Sequence, residues 1–496
     1  MTGDHSVVLI PVIFFTAALL VPLCRRGSRR WPYWVALVSS LLGVAASGEA
    51  LWRTLSTGEA IHYHLAGWRP PMGIELIADP LSAFFCLLIT VVTVFVLWHG
   101  RSLVESETPG KAVPFYSCVM LLLGGLSGIL LTGDLFNLYV FLEISSIAGY
   151  ALVAIGDKRA PVASFRYLIL GTIGASLYLL GVGFLFMTVG SLNMGDIASV
   201  LQTRAMSPVE ISALLLIVLG IGVKMALFPL HGWLVDAYTH ASSTATSLIA
   251  PIGTKVAAYV LIRALFYLFD TDLVREGIPV MNALAVMGAV GMLWGGVLAM
   301  AQTDLKRMLA FSSVGHVGYI ALGIGLASPL GFIAAVLHTL NHSVMKAVLF
   351  LICGSLRQKL GDNALDSMNK SLRLRMPWTM AAFTLAAISM IGLPPTAGFF
   401  SKWYLVLGSL EQGKWHWVIV IVLSSLFSVV YFFRVLERVY LRPQEGAEEE
   451  PAPARDESRP SMLAPVLILS ASLLLLGLGN VMIVNHLIRP MLPAGF

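Results

Sequence analysis

Apolar windows of about 20 residues recur from one end of the chain to the other, separated by short polar stretches. As a helix, each is long enough to cross a hydrocarbon core of about 30 Å. A bilayer interior offers no water to backbone N–H and C=O groups, so a spanning segment must satisfy them internally. Windows of this length are too long for barrel strands. Charged residues make up 12% of the sequence, against about 25% in soluble domains. The pattern excludes an ordinary soluble enzyme and specifies an all-α polytopic membrane protein. The net charge of +5 does not indicate nucleic acid, because the basic residues sit in short loops. Cys24, Cys86, Cys118 and Cys353 show no CxxC spacing and read as small buried apolar residues, not as a disulfide or metal set. The first apolar stretch, from Val7 to Leu23, lacks a basic leader and an AxA site, and reads as a retained span.

Fourteen transmembrane helices are predicted, near 6–23, 32–52, 78–99, 112–132, 134–155, 164–189, 209–229, 244–267, 278–301, 307–327, 330–354, 376–400, 415–438 and 461–486. Between the second and third, HYHLAGWRPPMGIELIADP suggests a short extended or hairpin loop. Before the last, PQEGAEEEPAPARDESRP is Pro-rich and acidic, and reads as a solvated linker to a peripheral final helix. Arg25, Arg26, Arg29 and Arg30, then Lys158 and Arg159, Lys306 and Arg307, and Arg357, Lys359, Lys370, Arg373 and Arg375 fall in alternate loops. The positive-inside rule then puts those loops in the cytoplasm and both termini outside. One cytoplasmic connection, PLHGWLVDAYTHASS, has neither Lys nor Arg.

Two stretches of the chain resemble each other. EISSIAGYALVAIG (143–156) matches SSVGHVGYIALGIG (312–325), GSLNMGD (190–196) matches GSLRQKLGD (354–362), and LFPLHGW (227–233) matches LPPTAGFFSKW (393–403). The common order defines two five-helix repeats, spans 4–8 and 9–13. An odd number of spans per unit inverts the second relative to the first, as in many transporters. Pro229 in span 7 and Pro394 and Pro395 in span 12 mark broken helices at corresponding places. The implied division is 1–111 for spans 1–3 with their extended loop, 112–270 and 271–440 for the repeats, 441–460 for the linker and 461–496 for the last span.

Ionisable residues inside the spans are functional candidates by default. Lys224 lies in IGVKMALFPLHGWL, and a lysine at the centre of a membrane helix costs roughly 2.5–3.5 kcal/mol on insertion scales. Pro229 removes a backbone hydrogen bond and clashes with the Met225 carbonyl, so the helix is expected to bend just past Lys224. Glu143, with more than a turn of apolar residues on each side, is the carboxyl suited to exchange a proton with Lys224 as their distance changes. A static ion pair tying spans 5 and 7 is the plainer alternative. Asp134, near the start of span 5, reads as a helix cap.

His338, His342 and Lys346 are spaced i, i+4, i+8 on one face of span 11, with Asn341 at its border. Histidine titrates near neutrality and suits a relay between lysines. HxxxH could bind a metal, but no further ligand cluster accompanies it, and a satisfied structural histidine is the alternative. Lys255 lies one turn beyond Pro251, and Lys402 follows Pro394–Pro395, where snorkelling to the interface is the competing reading. Lys306 and Arg307 read as loop charges. His231, Asp236 and His240 line the connection without Lys or Arg, either as a site of proton uptake or as an ordinary amphipathic surface. Together the intramembrane groups form a row, Glu–Lys–Lys–His–Lys, with no nucleotide loop, haem pair or other sign of a cofactor or resident metal.

These residues resemble the antiporter-like subunits shared by respiratory complex I, membrane hydrogenases and the Mrp multisubunit cation/proton antiporters. The resemblance is carried by NLYVFLEISSIAGYAL, KMALFPLHGWLVDAYTHASSTATSLI, TDLKRMLAFSSVGHVGY, HTLNHSVMKAVLFLICGSL and IGLPPTAGFFSKW, over roughly residues 120 to 405. It implies fourteen helices with two inverted bundles, a Glu143–Lys224 pair, a bridge through Lys255 and the span 11 set, and closure at Lys402. Lys402 and the form of the span 7 motif, with Val235 after Trp233–Leu234, look most like the D-type subunits of the Mrp antiporters. The reading placed first is a proton-translocating subunit of a monovalent cation (Na⁺ or K⁺)/proton antiporter in the inner cell membrane, working with other subunits. A proton-pumping, non-redox membrane subunit of a complex I-like NADH-quinone oxidoreductase or membrane hydrogenase is the alternative. A scaffold subunit is the third reading.

Overall fold

The computed structural model describes residues 5–23, 30–269, 279–441, 454–493 and 496. Most of the loop carrying Arg25, Arg26 and Arg29, and residues 442–453 of the acidic linker, lie outside the described residues. The chain opens with α1 (Ser6–Leu23), α2 (Trp31–Thr57) and α3 (Pro80–Glu107). Between the last two, β1 (Ile61–His64) pairs antiparallel with β2 (Glu75–Ala78), so the expected hairpin is present. Then come α4 (Ala112–Leu131), α5 (Leu135–Ala154), α6 (Ala160–Val189), the short α7 (Met194–Leu201), α8 (Pro208–Met225), α9 (Leu234–His240) and α10 (Ser243–Arg263). A second run follows: α11 (Val280–Met300), α12 (Leu305–Gly325), α13 (Pro329–Leu360), the short α14 (Lys370–Arg375), α15 (Pro377–Ile391), α16 (Ala397–Glu411) and α17 (Trp415–Tyr440). The last long helix is α18 (Pro460–Leu478). Among the described residues, 13 helices are long and apolar enough to span a bilayer. The fourteenth crossing is divided between α15 and α16, with 15 residues in each.

The internal repeat is visible in backbone hydrogen bonds. Asp134 caps α5 by accepting the Asn137 N–H, and Asp304 caps α12 by accepting that of Arg307. Beside the first cap, Leu135 N donates to Leu192 O and Met194 N to Gly133 O. Beside the second, Leu305 N donates to Asn363 O and Leu365 N to Thr303 O, in the same pattern. These pairs align Gly190 with Gly361, the left-handed residues that end α6 and α13. The sequence match that set Gly190 against Gly354 is therefore seven residues out of register, although its order is right. The inversion follows from contacts at one end of the bundle. Lys306, in the first turn of α12, donates to Ala241 O, while the neighbouring His240 carbonyl accepts from Asp157 N, just beyond the end of α5. The start of α12 thus lies with the end of α5.

Both predicted breaks are present. α8 ends at Ala226, in the left-handed region at φ 58°, and Leu227 N reaches back to Gly222 O. α15 ends at Gly392, at φ 88°, and Leu393 N reaches back to Ile388 O. A cis peptide bond follows in each, Phe228–Pro229 and Pro394–Pro395.

α13 runs through the centre, buried from Gly331 to Leu356. Gly174 of α6 and Gly220 of α8 let two backbones touch: a Cβ on Gly220 would lie 2.5 Å from Gly174 O and 2.7 Å from Tyr178 N. The final helix is less peripheral than expected. A Cβ on Gly477 of α18 would fall 2.0 Å from Pro395 O, so α18 lies directly against the break between α15 and α16. The end of the acidic linker is also docked. Asp456 pairs with Lys359 and Arg375, which hold its carboxyl below the usual carboxylate range, and Glu457 accepts the Trp378 N–H at the start of α15.

Gly220→Val should lower stability by about 1–3 kcal/mol by forcing α6 and α8 apart. Gly183→Ala, whose new Cβ meets nothing within 4 Å, should leave stability unchanged or slightly raised. The thermal midpoints of the two variants in detergent check this packing.

Candidate functional site

Glu143 on α5 and Lys224 in the last turn of α8 are both half-buried, and no ion pair joins them. Lys224 Nζ donates instead to Ser146 Oγ at 2.7 Å and Tyr150 OH at 3.3 Å. Glu143 Oε1 is buried without a hydrogen-bond partner, within Coulomb range of the ammonium. The static ion pair is therefore not the arrangement seen. Trp233, from the far side of the break, stacks on Tyr167 at 4.0 Å and donates to Val223 O at 2.8 Å, fixing the end of α8 where Lys224 stands. Next to Lys224 lies a cavity of about 50 Å³, lined in part by Ser145, Ser146, Gly253 and Val256. It accommodates a few water molecules and leads toward α10, which carries Lys255.

Lys255 is 0% exposed, and its Nζ donates to Ala250 O at 2.7 Å. Lys346, also 0% exposed, donates to Leu309 O at 2.7 Å and Ser312 Oγ at 2.5 Å. His338 and His342 project from the same face of α13 and meet a third imidazole, His316 of α12. The His316 ring stacks on His342 at 4.8 Å and on His338 at 5.2 Å, and its Nδ1 shares a hydrogen bond of 3.1 Å with His338 Nε2. His338 Nδ1 is 2.9 Å from Ser401 Oγ on α16, beside Lys402. His316 Nε2 and both His342 nitrogens are buried without protein partners. Among the described residues no group of three or more His, Cys, Asp or Glu could hold a metal ion.

Lys402 does not snorkel. It is 6% exposed and reaches back across the second break, donating to Met390 O at 3.0 Å, Ile391 O at 2.8 Å and Ser425 Oγ at 3.1 Å. Its ammonium sits at the negative end of α15 and 4.9 Å from the Tyr319 ring centroid. Asn341 Nδ2 donates to Ala397 O at 2.6 Å and so anchors the other side of the same break to α13.

The connection after α8 is more tightly paired than its lack of Lys and Arg suggested. Asp236 bonds Arg166 at 2.6 Å and faces Arg307 at 3.8 Å, while His240 bonds Asp157 at 3.0 Å. Burial raises the Asp157 carboxyl, but His240, the Arg159 amide and Lys306 outweigh that and hold it below its usual range. Only His231 has an unpartnered buried nitrogen, and its ring stacks on Phe228 at 5.5 Å. Three groups escaped the sequence reading. His316 is a lone histidine with no i+4 partner, legible only through its packing. Lys306 is 2% exposed, not a loop charge, and lies within Coulomb range of Glu107. Glu107 caps α10 by accepting the Ser243 N–H and hydroxyl, each at 2.6 Å.

Residues 132–428 match the family described as NADH:quinone oxidoreductase/Mrp antiporter, transmembrane region. The N subunit of the NADH-quinone oxidoreductase of Desulforudis audaxviator is 46% identical over 497 residues, 99% of each chain. The D subunit of the Na(+)/H(+) antiporter of Alkalihalophilus pseudofirmus is 29% identical over 415 residues, 83% of this chain and 82% of that one. Among solved structures, a chain of the membrane-bound sulfane sulfur reductase, an archaeal respiratory membrane complex, superposes with a TM-score of 0.88 at 29% identity. The superposition covers 98% of this chain and 97% of that one.

The two breaks should respond unequally to exchange of their left-handed residues. Gly392→Ala places a Cβ 2.9 Å from Lys402 Cδ at φ +88° and is expected to cost about 1–3 kcal/mol. Ala226→Gly relieves the strained position and should stay within about 1 kcal/mol of neutral. Equal losses in thermal unfolding would contradict this account.

Proposed function

The chain belongs to the NADH:quinone oxidoreductase/Mrp antiporter family, and from that premise we propose that it is a proton-translocating subunit of a multisubunit membrane complex. Its route runs from Glu143 and Lys224 through Lys255 and the His342, His316 and His338 rings to Lys402, with Lys346 as a side group. One observation carries this reading. Lys255, Lys346 and Lys402 are buried to 6% exposure or less, and each ammonium is held by carbonyl or hydroxyl oxygens with no carboxylate bonded to it. A buried ion pair that only held helices together would leave an uncompensated charge on losing its proton. A lysine held by neutral dipoles loses its proton without stranding an anion, which suits a relay and not a scaffold.

The host complex is proposed to be driven by redox chemistry performed in other subunits, the reading supported by the 46% identical relative of full length. This reverses the order reached from sequence alone. A cation/proton antiporter remains the second reading, favoured by the 29% identity to the antiporter's D subunit. In either case the chain itself carries no redox centre, lies in the inner cell membrane, and exposes both termini outside. His231, Asp236 and His240 stay proposed as a cytoplasmic uptake surface, with Lys306 and Glu107 beside it. The boundaries 112–270 and 271–440 are proposed for the two repeats.

In membrane vesicles containing the intact complex, Lys224→Ala, Lys255→Ala and His316→Ala should each lower proton translocation by about a hundredfold or more while assembly persists. Wild-type translocation in all three would leave only a scaffold role. Acidification driven by an electron donor and quinone distinguishes the redox host, and a pH change driven by Na⁺ or K⁺ distinguishes the antiporter.

A further inference from the structure

Away from the proton row, a crevice of about 600 Å³ opens between the start of α2, the end of α3 and the start of α18. Its chemistry is graded. Arg101, Arg459, Trp34 and Trp98 line one part of it, and Leu41 and Val94, about two turns further along α2 and α3, line the other. Trp34 to Leu41 and Arg101 to Val94 are each seven residues, so the lining turns apolar within about 10 Å along either helix. The Arg101 guanidinium lies 5.0 Å from the Tyr33 ring centroid and 5.8 Å from that of Trp34. These contacts hold it at the edge of the cavity by cation–π attraction.

Arg204, Arg263, Arg375 and Arg438 are each bonded to a carboxylate. Neither Arg101 nor Arg459 is so bonded among the described residues. Glu105 shares the lining, so two guanidiniums face one carboxylate and that part of it stays cationic. Two planar guanidinium forks favour a phosphate oxygen acceptor. Tryptophan and tyrosine mark the headgroup level of a bilayer. Free phosphate or an acidic peptide would leave the apolar part of the lining without an occupant, whereas a phospholipid covers both parts.

We propose that this crevice binds one phospholipid, its phosphodiester between Arg101 and Arg459 and an acyl chain along Leu41 and Val94. Basic recesses between membrane helices are a recurrent setting for such headgroups. The lipid would tie the first turn of α18 to α2 and α3. The inference is independent of which complex hosts the chain.

The test uses the purified complex, delipidated in detergent, with phosphatidylglycerol, a phosphate-free diacyl glycolipid and inorganic phosphate as separate additions. Phosphatidylglycerol alone should remain bound to the subunit in native mass spectrometry and raise its thermal midpoint. In Arg101→Ala/Arg459→Ala its binding should weaken at least about tenfold. An unchanged midpoint without lipid shows that the variant is folded. Arg101→Lys/Arg459→Lys, which keeps the charge, should bind with intermediate strength and serves if the alanine variant does not fold. Equal binding by the glycolipid, an equal shift from inorganic phosphate, or unchanged phosphatidylglycerol binding in the double alanine variant would overturn the proposal. So would efficient cross-linking of Ser461→Cys to another subunit, which would mean that protein closes the crevice.

Discussion

A backbone carbonyl inside a bilayer must find a donor within the protein, and a helix broken at mid-membrane leaves several without one. This chain meets that requirement with Trp233 at the first break, with Lys402 and Asn341 at the second, and places further lysines on carbonyls elsewhere. Lys402 serves Met390 and Ile391 at the second break, Lys255 serves Ala250 on the proline-bearing α10, and Lys346 serves Leu309. Lys306 does the same for Ala241 where α9 gives way to α10. Structure and candidate function therefore rest on the same bonds. At the second break, a group that makes irregular backbone tolerable in the membrane, Lys402, is also one proposed to carry protons.

The two repeats are not equivalent in their charge. Measured from either repeat alignment, Glu143 corresponds to a serine in the second unit, Ser312 or Ser313, and Ser312 accepts from Lys346. Likewise Lys224 precedes its break and Lys402 follows its own. An inverted scaffold has thus been given one end that sets an acid beside a base and one wholly basic end. That asymmetry lies in side chains, while the caps and breaks keep the common pattern.

Much of this was legible in the sequence because membrane burial imposes simple rules. The spans follow from hydropathy, the breaks from Pro229 and Pro394–Pro395, and the α13 face from the spacing of His338, His342 and Lys346. What escaped was tertiary. His316 has no helical partner in sequence and becomes central only because α12 lies against α13. Lys306 obeys the positive-inside rule and is buried nonetheless, since the end of α9 folds over it. The repeat register slipped because Gly354 and Gly361 both precede plausible turns, and only the left-handed cap at Gly361 distinguishes them. The final helix looked peripheral because nothing in its composition reveals that Gly477 meets a carbonyl.

The shared hydrogen bond between His316 and His338 has a consequence for vectorial transport. Either ring can donate, so the geometry of this bond fixes no direction for a proton on the proposed path. Directionality in such a path must be imposed at its terminals, where Lys224 and Lys402 each border a helix break.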